Sequence, residues 1–125
     1  MIQELPELIV TVDKVVFAPH LEAPPDRPYP FIYFITIRNE SDQIITVKGR
    51  KWIITDSSNQ TLVVEGDGVV GKCPTLRPGE SFSYNSYHVT GSDSVAQGSF
   101  WALTEENTPV FARVPPFELT IPQGH

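Results

Sequence analysis

The fold of this 125-residue chain is decided by the run Gly66-Asp67-Gly68-Val69-Val70-Gly71-Lys72-Cys73-Pro74, which Leu76-Arg77-Pro78-Gly79-Glu80 follows. The glycines have the G-x-G-x-x-G spacing of a dinucleotide-binding fingerprint, in which the third glycine opens a helix that faces a pyrophosphate. Pro74 and Pro78 lie where that helix would run, and each proline removes a backbone donor and blocks a helical turn. The run is therefore interpreted as a loop in an all-β protein, where glycine permits backbone angles that a β-carbon forbids.

Twelve prolines and eight glycines punctuate the chain, with short runs rich in Val, Ile, Phe, Tyr and Thr between them. That pattern is typical of an all-β domain. Alternating apolar residues predict strands at 8–17 (with a bulge at Asp13-Lys14), 31–39, 44–55 (kinked at Gly49), 62–65, 81–89, 98–104, 110–111 and 117–121. The sequence thus predicts an immunoglobulin-like or fibronectin III-like sandwich of two antiparallel sheets, with seven or eight strands and no helix.

Three local patterns refine this prediction. Residues 31–39 are apolar on both faces, which places this strand in the middle of a sheet. The cluster Asp56-Ser57-Ser58-Asn59 between two strand patterns predicts a hairpin turn. Pro115-Pro116 and Pro122 bracket the last strand, and five prolines in residues 19–30 predict a surface loop.

Composition narrows the class of protein. A hydrophobic content of 40% in 125 residues fits one globular domain over residues 1–125, and we expect flexible termini at about 1–6 and 123–125. The net charge of −6 disfavours nucleic-acid binding, which depends on neutralising phosphates. The neighbouring basic residues Arg38, Lys48, Arg50 and Lys51 are interpreted as solvated strand faces.

Cysteine usage and the N-terminal sequence favour a cytoplasmic protein. Cys73 is the only cysteine, so no intrachain disulfide can form, which suits a reducing compartment. Residues 1–5 have neither the basic nor the apolar region of a secretory signal. No apolar run reaches the length of a membrane span, so we expect no membrane partner.

Several motifs in order along the chain carry a resemblance to a known family. They are Tyr33-x-Ile35-x-Ile37-Arg38-Asn39, Gly49-Arg50-x-Trp52-x-Ile54-Thr55-Asp56, the glycine run with its Pro74, Leu76-x-Pro78-Gly79-x-x-Phe82-x-Tyr84-x-Ser86, and Val114-Pro115-x-Phe117-x-Leu119. With these motifs the chain resembles an ApaG domain from about Val10 to Pro122. The chain departs from the family at Ala96-Gln97-Gly98, where Met-Gln-Gly is common.

The resemblance implies a β-sandwich that serves as a binding module. Members occur as free bacterial proteins and as domains of eukaryotic adaptor proteins, and the bacterial members are associated with Co2+ resistance and Mg2+ efflux. The family has no accepted enzymatic activity. A protein partner, not yet identified, is thus what the resemblance implies for this chain.

The sequence does not show the spacing of histidines, serines and acidic residues that metal sites and catalytic sites require. His20, His88 and His125 are far apart and lack the spacing of metal ligands, so we expect no metal site and no cofactor. Ser86 and His88 share a strand face, yet nothing indicates an oxyanion hole or an orienting acid. The sequence therefore predicts no catalytic residues and no enzyme.

The glycine run leaves two interpretations open. Consecutive N–H groups of such a loop can bind an anion without a helix, so the loop is a candidate site for pyrophosphate or a nucleotide. The candidate residues are Gly66, Gly68, Gly71, Lys72, Arg50 and Arg77. Alternatively, the glycines only allow the chain to turn and to pack Val69 and Val70. The neighbouring Glu65 and Asp67 favour this structural interpretation, because their negative charges repel an anion.

The function that the sequence favours is protein binding through a sheet face or edge. Aromatic residues are the candidate anchors, because large aromatic side chains dominate binding energy at interfaces. They are Tyr29, Phe31, Tyr87 and Trp101, which are interpreted as exposed, the alternative for each being a place in the core. The alternative function is a sensor that binds a nucleotide or pyrophosphate at the Gly66–Gly71 loop.

Overall fold

The computed structural model describes residues 2–125, which form nine strands and no helix. The strands are β1 (Gln3–Glu4), β2 (Leu8–Phe17), β3 (Tyr29–Asn39), β4 (Ile45–Asp56), β5 (Thr61–Asp67), β6 (Thr75–Leu76), β7 (Ser81–Thr90), β8 (Ser94–Thr104) and β9 (Pro109–Leu119). The all-β prediction is confirmed. The count exceeds the predicted seven or eight because β1 and β6 are two residues long and have no periodicity that a sequence pattern can reveal.

The strands form two sheets that pack into a sandwich. The larger sheet has the order β1-β9-β8-β4-β5, with β6 paired to β4, and the smaller has the order β2-β3-β7. All pairs are antiparallel except the parallel pair of β1 and β9. The central position predicted for residues 31–39 is confirmed, because β3 lies between β2 and β7.

Bulges interrupt the register at three places. The predicted bulge in β2 is confirmed by the shift between Val12 and Lys14, and another shift in β4 ends at Gly49. The prediction that Pro115-Pro116 separates two strands is wrong. β9 runs through both prolines, because Ala96 pairs with Phe117 and Gly98 pairs with Val114, so Gln97 opposes two prolines in a bulge. A bulge leaves backbone groups out of the ladder, which makes it a position where proline is tolerated.

The core lies between the sheets and is rich in aromatic rings. Trp52 and Phe100 of the larger sheet are fully buried, and Trp52 packs against Tyr33 of the smaller sheet with ring centroids 5.0 Å apart. Gly98 makes room for this tryptophan, since an added β-carbon would lie 2.6 Å from its ring. His88 completes the cluster, 4.4 Å from the Tyr33 ring and 4.9 Å from the Trp52 ring.

Asn39 joins four segments at one end of the sandwich. Its side chain is fully buried and donates to the carbonyl oxygens of Gln43 (2.7 Å) and Leu76 (2.9 Å), while its Oδ1 accepts from the backbone and hydroxyl of Ser41. Its backbone N–H donates to the Glu80 carbonyl and its carbonyl accepts from Gly79 N–H, both in the turn at Pro78-Gly79, which we call the Pro-Gly turn. The asparagine of the Ile-Arg-Asn motif is therefore structural, because every hydrogen-bonding group of its amide is used inside the protein.

Candidate functional site

The glycine run forms a tight hairpin with no helix after it. Val69 and Lys72 form a bridge in which each N–H donates to the other's carbonyl, at 2.5 and 3.1 Å. Val70 and Gly71 between them have φ of +49° and +79°, which is the geometry of a type I′ turn. Val69 is fully buried and Val70 is 55% exposed. The turn thus fixes Val69 in the core and presents Val70 at the surface in a conformation that a β-branched residue rarely adopts.

Arg50 binds the backbone of this loop. Its guanidinium donates to the carbonyl oxygens of Asp67 (2.8 Å) and Gly68 (3.3 Å), and it covers Gly66, where an added β-carbon would lie 2.7 Å from two guanidinium nitrogens. Gly68 N–H in turn donates to the Lys48 carbonyl. The structure therefore brings Arg50, Gly66 and Gly68 together. The guanidinium of Arg50 is used to bind backbone carbonyls of the protein itself.

The remaining residues of the candidate anion site lie at the surface. Lys72, Gly71 and Arg77 are exposed, and neither cationic side chain forms an ion pair or hydrogen bond within residues 2–125. The N–H groups of Val70 and Gly71 likewise have no protein partner in the described part of the chain. The loop thus offers two outward amides, which are flanked by the exposed carboxylates of Glu65 and Asp67.

The four candidate aromatic anchors separate into two groups. Trp101 and Tyr87 are 42% and 43% exposed, whereas Tyr29 is half-buried and packs against the core. Phe31 is 2% exposed and lies 5.3 Å from the Phe17 ring, so of the two interpretations of this residue the core position is correct and the exposed one is wrong. Residues 31–39 are apolar on both faces, and the sequence pattern alone does not tell which face turns towards the second sheet.

Trp101 lies at the centre of the outer face of the larger sheet. It pairs across the ladder with Gly49 on one side and Phe111 on the other. Its indole covers Gly49, where an added β-carbon would lie 2.6 Å from Cδ1 of the ring. The glycine therefore leaves room for the indole of Trp101 on the neighbouring strand. From the sequence, Gly49 is interpreted only as a kink in its strand. Its contact with Trp101 is not visible there, because Trp101 lies 52 residues further along the chain.

Charged residues and two shallow depressions surround this ring. Lys51 pairs with Glu65 (3.6 Å) and Arg113 with Glu4 (3.4 Å), all of them at least two-fifths exposed. One depression of about 540 Å³ contains Trp101 and Ile2, and a second of about 480 Å³ contains Ile53, Val114 and the two prolines of the β9 bulge. Both include Lys51, Ser99 and Phe111, so they are neighbours on one face.

The histidines and acidic residues do not gather into a metal centre. Within residues 2–125 no group of three or more His, Cys, Asp or Glu side chains is close enough to hold a metal ion. His88 is buried among aromatic rings, and burial lowers its pKa to about 4. It is therefore neutral at physiological pH and contributes to the core. The described residues contain no helix, and therefore no helix that is long and apolar enough to cross a membrane.

Comparisons with known proteins agree with this geometry. The sequence profile of the ApaG domain matches residues 19–103. Protein ApaG of Shewanella sediminis is 40% identical over 101 residues, which cover 80% of each chain, and Protein ApaG of Shewanella woodyi is 37% identical over 118 residues, covering 93% of this chain and 94% of that one. A crystal structure of a Bordetella pertussis protein has a TM-score of 0.83 at 30% identity and covers 98% of this chain and 99% of that chain.

The two sheets, the glycine hairpin and the Pro-Gly turn define a small β-sandwich protein. With the profile match and these relatives, the chain belongs to the ApaG domain family. The resemblance predicted from the motifs is thereby confirmed.

Proposed function

We propose that this protein is a noncatalytic binding module that holds a partner protein on the outer face of the larger sheet. The observation that carries the proposal is Trp101, which is 42% exposed and covers Gly49, with Phe111 beside it on the next strand. The exposed part of the indole leaves apolar surface in water. Tryptophan is also the residue type most enriched among the side chains that dominate binding energy at interfaces.

The surroundings of Trp101 fit the anatomy of a protein interface. Such interfaces have an apolar centre and a polar rim that remains solvated. Here Ile53 and Phe111 extend the apolar centre, and the Lys51–Glu65 and Arg113–Glu4 pairs form the rim. Both signs of charge are present at the rim, so the partner needs an apolar patch bordered by charges of both signs. The ion homeostasis linked to the family by resemblance would then act through the partner protein.

Affinity capture with a matched pair of variants tests this proposal. Trp101→Ala and Ile9→Ala each remove a large apolar side chain of equal exposure (42%) from opposite sheets. The partner is captured on the immobilised wild-type protein, identified, purified and titrated against all three proteins. We expect Trp101→Ala to weaken binding at least tenfold, which corresponds to about 1.4 kcal/mol, and Ile9→Ala to leave it unchanged. Equal affinity for wild type and Trp101→Ala would refute the assignment of this face.

A nucleotide or pyrophosphate sensor at the glycine loop is the second candidate. It is supported by the two outward amides of Val70 and Gly71 and by the exposed cations Lys72 and Arg77. The use of Arg50 for backbone carbonyls and the net charge of −6 rank it below protein binding. Titration with pyrophosphate and ATP, followed by amide chemical shifts, decides this: binding predicts shifts at Val70 and Gly71 that diminish with added salt and with Lys72→Ala.

A further inference from the structure

The sandwich has an open side where the edges of both sheets are unpaired. β7 pairs only with β3, and β5 pairs only with β4. One depression of about 360 Å³ is lined by Thr61 and Leu62 of β5 and by Val89 and Thr90 of β7, so the two edges lie on the same side of the molecule. An unpaired edge presents a row of backbone donors and acceptors that a further strand can use.

The hydrogen-bond pattern shows which residues of β7 face outward. Asn39 N–H donates to the Glu80 carbonyl at the start of the β3–β7 ladder. Because hydrogen-bonded and non-hydrogen-bonded pairs alternate along an antiparallel ladder, residues 82, 84, 86 and 88 bond to β3. The N–H and C=O groups of Ser81, Ser83, Asn85 and Tyr87 therefore point to the open edge. The Tyr87 hydroxyl donates to the Glu22 carbonyl, and the Asp26 carbonyl lies beside Gly91 just after β7, so the chain around residues 22–26 borders the far end of this edge and the open stretch is Ser81–Tyr87.

This edge lacks the features with which the other edges discourage pairing. β5 has the carboxylates of Glu65 and Asp67 at its edge, and β2 has a bulge with Asp13 and Lys14 exposed. β1 is two residues long and is followed by Pro6. The open stretch of β7 has no charge, no proline and no bulge in its register. Natural sheets block their edges with such devices, so an edge without them is suited to accept a strand.

The interior next to this edge specifies what the strand would have to be. Phe82 and Tyr84 of β7 and Leu62 and Val64 of β5 point inward and remain half-buried. The Tyr84 hydroxyl is buried and has no hydrogen-bond partner among the described residues. A strand added beside β7 places alternate side chains over this apolar wall and the others in solvent. Its sequence would therefore alternate apolar and polar residues.

We propose that the Ser81–Tyr87 edge binds an extended segment of a partner protein as an additional strand, with an apolar residue at every second position. Main-chain hydrogen bonds supply the affinity in this mode of recognition, and the inward side chains supply specificity. A second copy of the chain fits this edge less well. A two-fold axis that pairs the two β7 strands also brings the two β5 edges together, and Glu65 and Asp67 of each copy would then repel those of the other.

The probe is a display library of random peptides, selected against the wild-type chain. Binding of the enriched peptides is then measured with Asn85→Pro, which removes one outward N–H of β7, and with Val63→Pro, which makes the same change at the β5 edge. Asn85→Lys is the milder variant if the proline perturbs the fold, which amide spectra will show. Ile9→Ala, on β2 at the opposite edge of the smaller sheet, serves as the distant control.

We expect enriched peptides with alternating apolar residues, at least tenfold weaker binding to Asn85→Pro and Asn85→Lys, and unchanged binding to Val63→Pro and Ile9→Ala. Amide shifts should be largest at Ser81, Ser83, Asn85 and Tyr87. The proposal is overturned if no peptide is enriched, or if the enriched peptides bind both Asn85 variants as tightly as wild type. It is also overturned, in favour of a second copy, if the chain dimerises and Asn85→Lys abolishes the dimer.

Discussion

Gly68 and Gly71 form a matched pair of positions for testing the role of the glycine hairpin. Both have positive φ, +63° and +79°, where an alanine costs about 1–2 kcal/mol relative to glycine. They differ in the space around the α-carbon. Nothing lies within 4 Å of a β-carbon added at Gly71, whereas at Gly68 it would overlap the Lys72 carbonyl oxygen and lie 3.2 Å from Cys73 Sγ.

The additional loss at Gly68 follows from what the Lys72 carbonyl does. That oxygen accepts the hydrogen bond from Val69 N–H, and Val69 is fully buried. An alanine at Gly68 must push the Lys72 backbone away, which gives up a hydrogen bond worth about 1 kcal/mol and disturbs core packing at about 1–3 kcal/mol. We therefore expect Gly68→Ala to lower the free energy of unfolding by roughly 4 kcal/mol and Gly71→Ala by about 1 kcal/mol.

Urea denaturation of the two variants and the wild type measures this difference. The far-ultraviolet signal follows the sheets, and an unchanged m-value shows that the unfolded states are comparable. Subtracting the loss at Gly71 from the loss at Gly68 isolates the steric contribution. Equal losses for the two variants, or a loss below about 1 kcal/mol for Gly68→Ala, would refute the reasoning and remove the structural role assigned to the Gly68 contact.

Three further predictions follow from single residues. Val70→Asn should raise the free energy of unfolding by about 1 kcal/mol, because asparagine suits the type I′ position that valine occupies at φ +49°; an unchanged urea midpoint would contradict this. Asn39→Ala should lower it by roughly 3 kcal/mol, since two backbone carbonyls lose their buried donors, and Ser41→Ala at the edge of the same network should lower it much less. Burial lowers the pKa of His88 to about 4, against 6.5 in the unfolded chain. Between pH 6.5 and pH 4 the imidazole is therefore protonated in the unfolded chain and neutral in the folded protein. Stability should therefore decline by about 3 kcal/mol as the pH falls from 6.5 to 4, and His88→Phe should remove that part of the slope in parallel urea titrations.

The sequence alone determined the fold class, because the signals for it are local. Alternating apolar residues mark β2, β3 and β7, and prolines in the glycine run rule out the helix of a nucleotide-binding fold. The positive φ of Gly68 and Gly71 also agrees with the sequence interpretation that these glycines permit unusual backbone angles. Local periodicity cannot detect strands of two residues, and it interprets a pair of prolines as a break when the strand absorbs them as the bulge opposite Gln97.

What only the tertiary structure decided is which side chains share a surface. The sequence named Phe31 and Trp101 together as anchors, yet the packing of the two sheets buries the first and leaves the second on an outer face. The sequence around Arg50 is compatible both with anion binding and with binding to the protein's own loop. The pairing of β4 with β5 brings Arg50 to the Asp67 and Gly68 carbonyls, to which its guanidinium donates. The unprotected edge of β7 likewise depends on sheet order, because a strand is an edge only through the neighbour it lacks. Periodicity is a property of a few consecutive residues, whereas burial, register and edges arise from pairings between residues far apart in the chain.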